Sequence, residues 1–276
     1  MQQLILVLPG IVPGEIYGLP LKGGTPQRME ITAEPWDVIR VDFTDNPLKI
    51  YSLFSPKKLS PNKRLLRLNK KQIKIGKGQK VIVPAEPATG KSTLLTQLGE
   101  EILKSGKANI TNLLIDERPE ETLAGRNVQN INLSYMRAPK DIMIGVLDTV
   151  GAVMKRVTEK GTDEVIFIDS LTRLVQVVNT VINNEMPNLP SGTGGVTLAS
   201  RNFVRQILGL GNNLQKGSLT IISTCLMGGS SIEDTIYKDL KGVSNAELFI
   251  QRSFDKNAPV TIDPRKSYVR NQSQIN

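Results

Sequence analysis

The stretch that most constrains this chain is Val81-Ile82-Val83-Pro84-Ala85-Glu86-Pro87-Ala88-Thr89-Gly90-Lys91-Ser92-Thr93-Leu94-Leu95. A short apolar run leads into a loop of small residues and then into a helical pattern, which reads as strand, phosphate loop, helix. Gly90 has no side chain to block a phosphate, and backbone N–H groups at a helix start cradle an anion. Lys91 is placed to reach β and γ phosphates, and the Ser92 hydroxyl to hold Mg²⁺. Ala85 stands where the G-x-x-x-x-G-K-[ST] pattern has its first glycine, so the bare pattern is missed by one residue. The strand before it and the helix after it are nonetheless the context the mechanism requires. Pro87, Ala88, Thr89, Gly90, Lys91, Ser92 and Thr93 are therefore the candidate nucleotide-binding residues, with ATP and Mg²⁺ as the expected ligands.

The remaining chemistry must be carried without imidazole, because the 276 residues include no histidine. That excludes Ser-His-Asp triads and histidine metal sites and leaves carboxylates, Lys and Arg. The single cysteine, Cys225, lies in the apolar run Leu219 to Leu226 and cannot form an internal disulfide, which predicts a reducing, cytoplasmic setting. Leu4 to Leu8 is too short for a signal peptide and lacks a basic lead, and no run approaches the length of a membrane span. A net charge of +9 favours a polyanionic partner.

Three parts are expected along the chain. Residues 1–46 hold short β-prone pieces broken by Pro-Gly and Gly-Gly pairs and predict a small β-rich segment. Residues 47–80 read as a basic connector: Lys49, Lys57, Lys58, Lys63, Arg64, Arg67, Lys70, Lys71, Lys74, Lys77 and Lys80 occur with no Asp or Glu, and Tyr51 and Phe54 are interleaved, a composition that fits a nucleic-acid backbone. Residues 81–276 alternate apolar strands with helices, which predicts an α/β domain with a mainly parallel sheet covered on both sides. Its expected elements are the helix to about Lys104, strands at 110–115, 165–169, 219–226 and 247–251, and helices at about 141–160, 170–179 and 198–210. The span from 116 through Pro139 reads as a loop.

Val165-Ile166-Phe167-Ile168 ends in Asp169, the second half of a Mg²⁺-nucleotide site: a carboxylate after a buried strand that positions the metal with Ser92. Hydrolysis also needs a group to orient water. Glu117, Glu120 and Glu121, after the strand 110–115, are the candidates, and spacing does not choose among them.

Leu114-Ile115-Asp116-Glu117-Arg118-Pro119-Glu120-Glu121, Ile168-Asp169-Ser170-Leu171-Thr172-Arg173-Leu174, Gly194-Gly195-Val196, Gly217-Ser218-Leu219-Thr220-Ile221-Ile222 and Ile236-Tyr237-Lys238-Asp239-Leu240-Lys241-Gly242 together resemble the transcription termination factor Rho family, over about residues 48–270. The resemblance implies a RecA-like P-loop NTPase core, an RNA-dependent ATPase and helicase, and a homo-oligomeric ring, a hexamer. RNA is the implied partner and RNA polymerase a further one. It assigns Glu117 as the catalytic glutamate, Lys91 and Ser92 to phosphates and Mg²⁺, and Asp169 to the metal. Arg118 and Arg173 become γ-phosphate-responsive arginines, and Arg270 a finger reaching a neighbouring subunit's nucleotide. Residues 192–196 and 228–231 correspond to the family's two channel loops.

The departures are as informative. Gly228-Gly229-Ser230-Ser231 lacks the family's translocating lysine, Ala88 replaces a second P-loop lysine, Ala258 stands near a usual arginine, and the N-terminal portion is shorter than the family's, which makes the chain a truncated, divergent member. The expectation is thus an ATP hydrolase of Rho type. The alternatives are a nucleotide-binding assembly or regulatory protein that has lost RNA translocation, and a basic RNA-binding protein in which ATP is structural.

Overall fold

The computed structural model describes residues 73–87, 89–105, 108–116, 122–123, 128–133, 138–214, 216–252 and 260–270, together with strand backbone at 2–9, 16–20, 27–29, 38–42, 50–52 and 64–68. The N-terminal strands β1 (Gln2–Pro9), β2 (Ile16–Pro20), β3 (Gln27–Met29), β4 (Val38–Asp42) and β5 (Ile50–Ser52) form an antiparallel sheet in the order β3-β2-β1-β4-β5. Within 47–80, expected as a connector, β5 pairs with β4, and β6 (Arg64–Leu68) pairs with β7 (Ile73–Gly76).

The main sheet runs β10-β9-β11-β13-β8-β14-β17. Its strands are β8 (Lys80–Ala85), β9 (Asn109–Ile115), β10 (Val128–Leu133), β11 (Asp163–Asp169), β13 (Ser218–Leu226), β14 (Ala246–Glu247) and β17 (Tyr268–Val269), with the short β12 (Asn212–Asn213) beside β13. All neighbours from β10 to β14 are parallel, and only β12 and β17 run the other way. A small pair, β15 (Ile250–Arg252) with β16 (Val260–Ile262), forms a separate two-stranded sheet.

Parallel strands need covered crossovers, and the apolar runs supply both covers. Along β11, Ile166 and Ile168 face one layer while Val165 and Phe167 face the other. The first layer holds helices α2 (Pro139–Lys155), α3 (Leu171–Glu185), α4 (Leu198–Gly209) and α5 (Ser231–Lys241); the second is built on α1 (Lys91–Ser105). Helix α3 forms because Leu171, Leu174, Val175, Val178, Val181 and Ile182 repeat at helical spacing and bury one face, while the Ser170 hydroxyl caps its start by accepting from the Arg173 amide.

Four elements differ from expectation. The stretch from 116 through Pro139, expected as a loop, contains β10: an edge strand, half-exposed and asparagine-rich, has little apolar pattern to show. Asn130 fixes it instead, accepting from the Asn112 side chain and the Leu123 amide. The single strand expected at 247–251 is split between β14 and β15, which lie in different sheets. Helix α3 runs to Glu185, beyond the expected 179, and α2 passes at Arg156–Lys160 into a π-helical turn ended by Gly161 in the left-handed region.

Phe167 is wholly buried under α1. Phe167→Ala removes a large aromatic that the fixed sheet cannot collapse to replace, so urea unfolding should show a loss of about 3–5 kcal/mol. A loss below about 1 kcal/mol would contradict this packing.

Candidate nucleotide site

The site is assembled at the carboxyl ends of three adjacent strands, β8, β13 and β11. The chain leaves β8 at Ala85, turns through exposed Glu86 and Pro87, and enters α1 at Lys91. The Thr89 hydroxyl donates to the Glu86 carbonyl at 2.8 Å and so closes the turn. Gly90 sits at φ +96°, and a Cβ there would come within 2.3 Å of Val260 Cγ2. This position accordingly demands glycine. No acidic residue occupies the first turn of α1, so its N-terminal partial charge is available to an anion, with the partly buried Lys91 beside it.

Asp169 ends β11 and is 2 % exposed. The Thr224 hydroxyl, one strand over on β13, donates to Asp169 Oδ1 at 2.5 Å. Thr224 is in turn level with Val83 of β8. This bond fixes the carboxylate at the height where the chain turns into the phosphate loop. Two more side chains tie the same layer: Ser223 donates its hydroxyl to the Val81 carbonyl at 3.0 Å, and Thr172 Oγ1 accepts from the Leu226 amide at 2.9 Å. Cys225 lies beneath, and burial pushes its thiol up to about 12, so it stays a neutral filler.

Mg²⁺ prefers hard oxygen donors and keeps waters and substrate phosphates in its shell. The Ser92 hydroxyl and the Asp169 carboxylate match that chemistry. Among the described residues no cluster of three or more His, Cys, Asp or Glu could hold a metal.

The arginine of α3 also faces this edge. Arg173 Nη1 lies 4.0 Å from Asp116 Oδ2 and donates to Gln176 Oε1 at 3.3 Å, while its buried Nε has no partner among the described residues. Asp116 follows β9 with φ 55°, a left-handed turn that few non-glycine residues adopt. Glu117, Arg118, Glu120 and Glu121, which come next, lie outside the described residues, as does Ala88.

Arg270 is placed elsewhere. β17 runs antiparallel to β14, and the Arg270 amide donates to the Asn245 carbonyl, whose own amide donates to the Lys80 carbonyl. Arg270 therefore lies level with the start of β8, whereas the phosphate loop leaves its finish, about 17 Å away at strand rise per residue. It cannot reach its own chain's loop.

The two loops likened to channel loops are both described. At 191–197 a Ser191–Thr197 bridge and the Asn179 side chain hold the turn, with the Thr197 amide donating to Asn179 Oδ1 at 2.8 Å. At 228–231 the Gly228 amide donates to Asp234 Oδ1 at 3.0 Å and the Gly229 amide to Glu233 Oε2 at 3.1 Å. The amides of Gly228 and Gly229 are thus taken by carboxylates of α5, and none of the four loop residues is basic. Thr224 has a faint signature in the sequence, a pair of hydroxyl residues, Ser223-Thr224, inside a strand otherwise built for burial.

No protein-family model matches the chain. Among curated proteins it is 37% identical over 191 residues to transcription termination factor Rho of Streptobacillus moniliformis, covering 66% of this chain and 44% of that protein. It is 34% identical over 234 residues to the Rho factor of Karelsulcia muelleri, covering 81% and 61%. The chain thus spans about half the length of the curated relatives it matches. In fold it is similar to the ATPase of the type III secretion system of pathogenic bacteria, with TM-score 0.67 and 18% identity over 91% of this chain and 73% of that one. It is likewise similar to the ATP synthase subunit NeqB from Nanoarcheaum equitans, with TM-score 0.71 and 15% identity over 100% and 78%. These likenesses agree with the α/β, mainly parallel architecture.

Lys91→Ala removes the cation beside the helix start and should weaken ATP binding by about 1.5–3 kcal/mol, the range for a charged hydrogen bond. Calorimetric titration of the folded variant measures it; unaltered affinity contradicts the assignment.

Proposed function

The chain is a divergent relative of transcription termination factor Rho, and from that premise we propose that it binds ATP·Mg²⁺ and hydrolyses it to ADP and phosphate at the boundary between identical subunits. The observation that carries this reading is the alignment of a phosphate loop and a buried, hydrogen-bonded carboxylate across β13. Lys91 holds the β and γ phosphates, and the amides at the start of α1 receive their oxygens. Ser92 and Asp169 are the residues that would hold Mg²⁺, which would supply charge neutralisation at the transferred phosphoryl group. Glu117 orients the attacking water, and Arg173 and Arg118 respond to the γ-phosphate. Arg270 completes the site of the adjacent subunit, because its own loop is out of reach. The assembly is a homo-oligomeric ring, a hexamer by likeness to Rho, and works in the cytoplasm; among the described residues no helix is long and apolar enough to cross a membrane.

RNA is the proposed polyanion, supported by the net charge of +9 and by the lysines and arginines of 47–80. RNA polymerase is a further proposed partner. We propose 81–276 as the RecA-like ATPase division, preceded by the N-terminal sheet, which takes in β5 from the 47–80 stretch. One observation favours a second reading, an assembly or regulatory protein without translocation: in the 228–231 loop the Gly228 and Gly229 amides are closed by Asp234 and Glu233, so the loop offers RNA neither a cation nor a free backbone donor at those two positions.

Steady-state ATPase with and without RNA separates the readings. RNA-stimulated turnover supports the first, and nucleotide binding with no turnover under any RNA condition supports the second. Glu117→Gln should keep ATP affinity and lose turnover, because an amide fits the space yet cannot polarise water. Arg270→Ala should lower turnover by about 10³-fold or more, as removal of a finger supplied in trans does. Mixing it with Lys91→Ala subunits should restore part of the activity, since one interface then joins an intact loop to an intact finger. Wild-type turnover in Arg270→Ala alone would sink the interface model.

A further inference from the structure

Glu247 is fully buried at the margin of the main sheet, away from the nucleotide site. Its carboxylate gathers three side chains from two elements. The Tyr268 hydroxyl on β17 donates to Oε1 at 2.5 Å, and the Tyr237 hydroxyl on α5 donates to Oε2 at 2.7 Å. Lys241, one turn further along α5, brings its ammonium within 3.4 Å of Oε2 and lies 5.8 and 5.9 Å from the centres of the Tyr237 and Tyr268 rings. A buried carboxylate is costly unless every oxygen is satisfied, and a sheet margin does not need one to hold together.

What the cluster holds is β17, a strand of two residues whose backbone pairing with β14 is correspondingly brief. β17 ends at Val269, and the Arg270 amide carries the contact one residue further by donating to the Asn245 carbonyl, so Arg270 follows the anchored Tyr268 by two residues. The Arg270 charge is near enough to favour the Tyr268 phenolate, yet burial, and then the bond to Glu247, push that hydroxyl up to about 12. It therefore remains a donor throughout the working range.

We propose that Tyr268, anchored by Glu247, is the positioning residue that sets the direction of Arg270 toward the nucleotide of a second copy of this chain. This rests on the reading of Arg270 as a finger in trans. The hydroxyl-to-carboxylate bond fixes the strand two residues before the guanidinium, and the Arg270 amide on Asn245 fixes it at the guanidinium's own backbone. Together they leave only the side chain free to adjust when a neighbouring subunit closes.

Tyr268→Phe keeps the ring and removes only the hydroxyl. In the full-length protein kcat should fall about 10–100-fold, the scale of a misplacement of roughly 1 Å, while ATP affinity by calorimetry stays within about twofold of wild type because the variant's own loop is untouched. The defect should also follow the finger side of the interface. Mixing Tyr268→Phe with Lys91→Ala subunits should recover turnover, and mixing it with Arg270→Ala subunits should not. Glu247→Gln, which keeps the volume but replaces one acceptor oxygen with a donor, should behave in the same way and serves if the phenylalanine variant folds poorly. Wild-type kcat in both variants, or a defect that Lys91→Ala subunits fail to rescue while they do rescue Arg270→Ala, overturns the positioning role and leaves the finger standing. If Lys91→Ala subunits fail to rescue Arg270→Ala itself, the finger reading falls and takes this inference with it.

Discussion

The hydrogen bond from Thr224 to Asp169 makes one site out of two separate strands. The strand that launches the phosphate loop and the strand that ends in the metal-type carboxylate are not neighbours; β13 lies between them. All nine residues of β13 are buried, so its register is set by packing on both faces, and a slip by one residue would exchange its two sets of side chains between layers. Once that register is fixed, Thr224 meets Asp169, Ser223 meets the Val81 carbonyl and the Leu226 amide meets Thr172. The depth of the core thus becomes the precision of the site. A carboxylate at 2 % exposure would otherwise be poorly tolerated, and the neighbouring hydroxyl offsets part of that cost.

Much of this was legible because the buried strands are apolar on both faces. Val81 to Val83, Val165 to Ile168 and Leu219 to Ile222 announce themselves without ambiguity, and a parallel sheet follows from their alternation with helices. The turn at Gly90 was equally plain, since only glycine escapes the contact with Val260 at that backbone angle. What stayed hidden depends on order in space. Nothing local says that β13 inserts between β8 and β11, and nothing in Val128-Gln129-Asn130-Ile131 says strand when two of the four side chains face solvent. The terminal stretch is a further case. Tyr268 and Val269 are too few to show a period, and they become a strand only because β14 and the Glu247 carboxylate are there to receive them.

The loop at 228–231 illustrates how a departure from a family pattern can have a local physical sense. Without a lysine, the loop has become a helix start: Ser230 caps α5 by accepting from the Glu233 amide, while Glu233 and Asp234 turn back to the amides of Gly229 and Gly228. Acidic groups at a helix N-terminus are favourable there. They also make the surface repel a phosphate backbone. The same residues that stabilise the turn therefore weaken any grip on RNA at this point, and the basic charge that could compensate lies far upstream in sequence, in 47–80.

The position of Arg270 carries the broadest consequence for how such a chain would work. In an antiparallel margin strand beyond β14, a residue next to Asn245 is level with the beginnings of the parallel strands, and the nucleotide edge is formed by their ends. An arginine side chain spans far less than the length of β8, so no rotamer brings it to the loop that Lys91 opens. If this guanidinium acts on phosphate at all, it acts on another molecule's. Catalysis would then require assembly, and the turnover number would fall with dilution, whereas affinity for ATP, set by the intact loop of each chain, would not.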